Sequence, residues 1–78
     1  MSDVILYSRP DCHLCEEAEE LLTRVAPERA VRVVDIEDHI TLIDRYGLRV
    51  PVLRLEATGQ ELGWPFDAEG LAAFLGSA

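Results

Sequence analysis

With 78 residues, 49% of them hydrophobic and 28% charged, the chain has the composition of one small folded domain and not of a disordered tail. A chain this short buries only about 60–65% of its unfolded surface, which leaves no room for a large internal cofactor cavity. Its 15 acidic residues against 7 basic ones give a formal charge of -8, a poor match to nucleic acid or to an anionic membrane, both of which require basic patches.

Val4-Ile5-Leu6-Tyr7 is a short run of strand formers, stopped by Ser8-Arg9-Pro10-Asp11. The spacing that follows predicts a helix. Leu14, Ala18, Leu21, Leu22 and Val25 share one face, while Glu16, Glu17, Glu19 and Glu20 occupy the other, and Pro27 ends it. The β-branched run Val31-Arg32-Val33-Val34-Asp35-Ile36 predicts a second strand. Glu37-Asp38 is then expected to cap a short helix that turns Ile40, Ile43 and Tyr46 inward, with Gly47 as its left-handed stop. Val50-Pro51-Val52-Leu53-Arg54-Leu55 reads as a third strand with proline at its start, where it is tolerated. Thr58-Gly59-Gln60 turns into a brief Glu61-Leu62 strand to form an antiparallel hairpin. Asp67 is a good N-cap for a last helix with Leu71, Phe74 and Leu75 inward and Gly76 at its end.

The order is β-α-β-α-β-β-α over one domain spanning 1–78. A strand–helix–strand unit of this length makes its two strands parallel, with a right-handed crossover. The expected architecture is α/β, a four-stranded mixed sheet flanked by helices.

Cys12-His13-Leu14-Cys15 is the chemically loaded feature. The i,i+3 spacing puts both sulfurs on one side of a first helical turn, close enough to bridge. Cys12, at the N-terminal end, meets unpaired backbone N–H groups and the positive end of the helix dipole, and both favour a thiolate. Cys15, one turn in, is expected to be more buried. The asymmetry divides the roles: Cys12 attacks a disulfide and Cys15 resolves the mixed disulfide. Arg9 and His13 flank Cys12 as candidate thiolate stabilisers, while the glutamates that follow push the other way across solvent that screens them. Other readings remain open. Two cysteines plus His13 supply at most three metal ligands where structural zinc uses four, so no metal is expected; alternatively, both thiols are inert and simply buried.

From Tyr7 to Cys15 the chain resembles the active-site segment of glutaredoxins, within the thioredoxin superfamily. Val50-Pro51 looks like that superfamily's cis-proline dipeptide. Leu62-Gly63 and Asp67 sit where glutaredoxins carry a Gly-Gly pair followed by a helix-capping Asp. Tyr46-Gly47 and Trp64-Pro65-Phe66-Asp67 most resemble a group of short glutaredoxin-like domains. The resemblance implies a thioredoxin-like fold and a thiol–disulfide oxidoreductase with no bound cofactor, glutathione being a possible co-substrate. It implies Cys12 as nucleophile, Cys15 as resolving thiol and Arg9 in place of a lysine that holds a glutathione carboxylate. It also implies a cis Pro51 that leaves the Val50 backbone free to pair with an extended substrate, and Asp67 at the glutathione amino end. The sequence departs from glutaredoxins in carrying His13-Leu14 in place of Pro-Tyr, Arg49 in place of Thr, and Trp64 in place of the second Gly. Arg49, Val50, Pro51, Gly63, Trp64 and Asp67 are accordingly the expected substrate-binding residues, and the partner a disulfide-containing protein or glutathione. A non-enzymatic alternative uses the same fold to bind a metal or iron–sulfur cluster, to sense redox state or to dock a partner.

No run approaches the ~18–20 apolar residues of a membrane span. Met1-Ser2-Asp3 opens without the basic segment of an export signal. A reducing cytoplasmic location and a monomer are the expectations. All seven cations are arginine, so chemistry that requires a lysine is excluded.

Overall fold

A computed structural model describes residues 4–76. The elements in chain order are β1 (Val4–Ser8), α1 (His13–Val25), β2 (Val31–Asp35), a 3-10 turn (Ile36–Asp38), α2 (Ile40–Tyr46), β3 (Val52–Leu55), β4 (Glu61–Gly63) and α3 (Ala68–Gly76). The strands form one sheet in the order β2-β1-β3-β4. β1 and β2 are parallel, with Ser8 opposite Asp35. β3 is antiparallel to both β1 and β4, and the register sets Tyr7 opposite Val52 and Val52 opposite Gly63.

β1 is an interior strand, and all five of its residues are buried. Period-two alternation sends Val4 and Leu6 to one face and Ile5 and Tyr7 to the other. On the first face Ala18 and Leu22 of α1 and Leu71 and Leu75 of α3 close over Val4, Leu6, Leu53 and Leu55. On the second, Ile36 and Tyr46 close over Ile5, Tyr7 and Val52. Each such buried leucine or isoleucine contributes about 1.5–3 kcal/mol of transfer free energy.

Several local expectations are corrected. The inward stripe of α1 runs through Cys15, Ala18 and Leu22, with Leu21 and Val25 half-buried at its margin. Leu14 is turned outward and is 44% exposed. A one-residue step rotates a helix by about 100°, so burying the Cys15 sulfur faces Leu14 to solvent. Glu37-Asp38 does not cap α2, whose N-cap is His39 without a side-chain hydrogen bond; both lie in the 3-10 turn that Asp35 opens, its Oδ1 accepting from the Glu37 N–H at 2.8 Å. In α2 the inward residues are Leu42 and Tyr46, four apart, while Ile40 and Ile43 are exposed. The ring of Tyr46 stacks on Tyr7 and fixes the rotation of this short helix.

Gly47 is right-handed, with φ -52 and ψ -36, and not the left-handed stop expected. What requires glycine there is close approach, since a Cβ would stand 2.5 Å from the Ile43 carbonyl oxygen. β3 begins at Val52, two residues later than the sequence suggests. Val50 and Pro51 form the approach to it instead, and the Val50–Pro51 and Trp64–Pro65 peptide bonds are both cis. The β3–β4 turn places Gly59 at φ +76, a conformation glycine adopts without penalty. Asp67 caps α3 through its Oδ1, which accepts from the Gly70 N–H at 2.7 Å.

Candidate active site

The parallel β1–β2 pair and the antiparallel β1–β3–β4 register bring four segments to one end of the sheet. These are the loop leaving β1, the 3-10 turn after β2, the approach to β3 and the exit from β4. Cys12 lies on the first of them. Asp11 precedes it in the left-handed region, φ 56, which aspartate tolerates better than most residues. Cys12 then takes an extended conformation as the N-cap of α1.

Cys12 and Cys15 are joined by a disulfide with their Cα atoms 5.2 Å apart. Cys15 is fully buried, whereas Cys12 is half-buried. The Cys12 sulfur accepts from the Cys15 backbone N–H at 3.2 Å. With the disulfide open, that donor and the positive end of α1 favour negative charge on the outer sulfur.

Arg9 and His13 make their contacts elsewhere. Arg9 donates from Nη2 and Nε to Glu37 Oε2, at 3.0 and 3.2 Å, and from Nη1 to the Gly47 carbonyl oxygen at 3.3 Å. It thereby ties the loop before Cys12 to the turn after β2 and to the end of α2. His13 is exposed and leans along α1, with Nδ1 3.9 Å from Glu16 and Nε2 3.8 Å from Glu17.

The expected substrate-binding residues divide into two groups. Pro51, Gly63 and Trp64 meet at the same end of the sheet as Cys12, where the Trp64 N–H donates to the Pro51 carbonyl oxygen at 3.2 Å. Pro51 is buried, and Gly63 is exposed with open space where a side chain would project. Trp64 is half-buried, set edge-on to Phe66 with ring centroids 5.0 Å apart. Of the Val50 backbone, expected to be free to pair with an extended substrate, the N–H is donated to the Tyr46 carbonyl oxygen at 3.1 Å. Arg49 is turned toward β4, where its Nη2 meets Glu61 Oε1 at 3.3 Å. The Asp67 carboxylate holds the first turn of α3.

A cluster that sequence reasoning missed holds the Pro51 segment in place. Tyr46, fully buried, donates its hydroxyl to Glu61 Oε2 at 2.5 Å and stacks on Tyr7 with centroids 4.2 Å apart. The guanidinium groups of Arg49 and Arg45 lie over its ring at 5.4 and 5.7 Å. Its carbonyl oxygen accepts from both Arg49 and Val50. Burial and the bond to the Glu61 carboxylate push the Tyr46 phenol up from its ordinary pKa. Burial also pushes Glu61 up, but the Tyr46 hydroxyl and the Arg49 guanidinium outweigh it and hold the carboxyl below its ordinary value. Only the apolar part of this arrangement was visible in sequence, because Glu61 is 15 residues from Tyr46 on another element.

A concavity of about 240 Å³ at the far end of α1, lined by Leu22, Ala26, Val31 and Val33 among others, contains neither cysteine nor histidine. Among the described residues no three His, Cys, Asp or Glu side chains converge as metal ligands. None of the described helices is long and apolar enough to cross a membrane.

The model of a family described as glutaredoxin-like domain (DUF836) matches residues 3–76. The chain is similar to the X-ray structure of protein XcR50 from X. campestris, at 49% identity and a TM-score of 0.88, covering 96% of this chain and 97% of that one. It is also similar to protein Ne2328 from Nitrosomonas europaea, at 29% identity and a TM-score of 0.78 over 92% and 88% of the two chains. A point variant of thioredoxin from Halobacterium salinarum aligns at 27% identity and a TM-score of 0.67, over 97% of this chain and 74% of that one. No curated protein matches at a significant level.

Proposed function

Because this chain belongs to the glutaredoxin-like domain family, we propose that it is a thiol–disulfide oxidoreductase reducing protein disulfides or glutathione mixed disulfides. In the reduced protein the Cys12 thiolate attacks one sulfur of a substrate disulfide. A Cys12–substrate disulfide forms, and the other substrate sulfur leaves as a thiolate that takes up a proton. The Cys15 thiolate then attacks the Cys12 sulfur, closes the Cys12–Cys15 disulfide and releases the second substrate thiol. Two electrons pass from the dithiol to the substrate. Turnover needs an external thiol reductant, glutathione or a dithiol protein, and a reducing compartment such as the cytoplasm suits it. No resident cofactor takes part.

The observation that carries this reading is the unequal burial of the two bridged sulfurs at the N-terminus of α1, the outer one bonded to a backbone N–H. Pro51, Gly63 and Trp64 would form the floor beside which the substrate chain lies, with the Val50 carbonyl as its backbone contact and Arg49 and Asp67 at the margins. The test is reduction of hydroxyethyl disulfide, a small neutral substrate, by the reduced protein. The wild type is expected to exceed equimolar free cysteine by at least about tenfold at pH 7, the helix N-terminus and the Cys15 N–H favouring the Cys12 thiolate and Cys15 closing the internal disulfide. Cys12→Ser is expected to abolish the reaction. A wild-type rate equal to that of free cysteine would overturn the proposal.

A further inference from the structure

If the exchange reaction is as proposed above, the pairing of the charges around it also selects the substrate. We propose that the site takes disulfides flanked by basic residues in other proteins and discriminates against glutathione. Glutathione is a net anion carrying two carboxylates, and holding it requires available cations. The two arginines expected at the site, Arg9 and Arg49, are already paired. Arg9 is bonded to Glu37 and to the Gly47 carbonyl oxygen, and Arg49 is bonded to Glu61. Recruiting either guanidinium to an anionic ligand takes from Glu37 the Arg9 pair, or from Glu61 its Arg49 pair, leaving Glu61 the Tyr46 hydroxyl alone, and Glu61 is only about one-fifth exposed. The loss of a charge-assisted pair offsets what the new one contributes.

The side chains that remain outward at this end have the opposite character. Asp11 precedes the disulfide and Glu16 and Glu17 follow it, all exposed. Glu16 and Glu17 share the His13 imidazole as a neighbour, at 3.8–3.9 Å. Asp67, also exposed, adds a fourth carboxylate at the start of α3. Two leucines complete the surface. Leu14 lies between the cysteines, and Leu48 is fully exposed on the turn whose Gly47 carbonyl is tied to Arg9. A basic segment with an apolar residue beside its disulfide complements these groups, whereas the glutathione carboxylates are repelled by them. A net charge of -8 on the whole chain extends the attraction beyond contact range.

Single-turnover oxidation of the reduced full-length chain tests this. The four oxidants are a cyclic disulfide peptide flanked by arginine and leucine, the same peptide with glutamate for arginine, oxidised glutathione, and hydroxyethyl disulfide. Each rate constant is divided by that of dithiothreitol with the same disulfide, which removes intrinsic reactivity. The arginine peptide is expected to react at least ~10-fold faster than either the glutamate peptide or glutathione at low salt, and the ratio to fall severalfold in 0.5 M salt. In Glu16→Gln/Glu17→Gln the arginine-to-glutamate ratio is expected to drop at least ~3-fold, reading the same steering with two carboxylates removed. Equal rates for the two peptides, a ratio insensitive to salt or to the double substitution, or preference for glutathione would overturn the inference. Hydroxyethyl disulfide separates the two levels: reduction of it without a charge preference overturns only the substrate assignment, and failure to reduce it overturns the redox reading as well.

Discussion

Replacing Tyr46 by phenylalanine removes one oxygen and leaves the ring. The stack on Tyr7 and the two guanidinium groups over the ring remain, so the loss is that of the hydroxyl's bond to the Glu61 carboxylate. A hydrogen bond to a charged group contributes about 1.5–3 kcal/mol. Arg49 still partners the other Glu61 oxygen at 3.3 Å, which sets the expected loss at the lower end, about 1.5–2 kcal/mol. For a domain of this size that is a fall in Tm of roughly 6–16 °C.

The pH dependence identifies the bond. Glu61 is held below its ordinary value in the fold, so its contribution is fully present above the unfolded glutamate range and lost as pH falls through the folded pKa. Tyr46 is raised, so its contribution is fully present below the unfolded tyrosine range and lost as pH rises through the folded pKa. The difference between wild type and Tyr46→Phe is therefore largest between about pH 5 and pH 10. Urea denaturation at pH 7 and at pH 3 measures it. A difference under about 0.5 kcal/mol at pH 7, or one that grows as the pH is lowered, would refute the role given to the Tyr46–Glu61 bond.

Gly47→Ala sets a methyl 2.5 Å from the Ile43 carbonyl oxygen. It should destabilise by about 1–3 kcal/mol in spite of alanine's better helix propensity, and a gain in thermal stability would contradict the close-approach reason for this glycine. Asp67→Ala removes the acceptor of the Gly70 N–H and should cost about 1 kcal/mol in urea unfolding, most of it restored in Asp67→Asn. Because Arg9 is bonded to Glu37 and Gly47, Arg9→Gln should change the iodoacetamide alkylation rate of reduced Cys12 by less than about twofold, the helix N-terminus being the main stabiliser of the thiolate. A fall of fivefold or more would return Arg9 to the thiolate.

The fold was readable because its signals are local. The apolar run at Val4-Ile5-Leu6-Tyr7, the periodic helix after Cys12 and the β-branched run from Val31 each carry their period in a few consecutive residues, and the sheet with its parallel crossover follows from their order. The cysteine pair was readable for the same reason, since three residues of helix suffice to bring two sulfurs together. What failed depended on packing between distant elements. Leu14 and Cys15 compete for one inward position, and the sheet accepts the sulfur. Ile40 and Ile43 have the spacing of a buried face, but the Tyr46–Tyr7 stack rotates α2 so that Leu42 goes inward instead. The partners of Arg9 and Tyr46, 28 and 15 residues away, leave no trace in local spacing. Yet they decide which charges at the cysteine end of the sheet are paired.

The most direct measurement uses Cys15→Ser, which retains the attacking sulfur and the backbone N–H that faces it. Incubated reduced with one equivalent of a disulfide-containing peptide and examined by intact-mass spectrometry after acid quenching, it should accumulate a stable adduct of one peptide half on Cys12. The wild type should pass through that adduct to the internal Cys12–Cys15 disulfide. No adduct on the variant, or an adduct on the wild type that persists with Cys15 present, would contradict attack from the outer sulfur followed by release through the inner one.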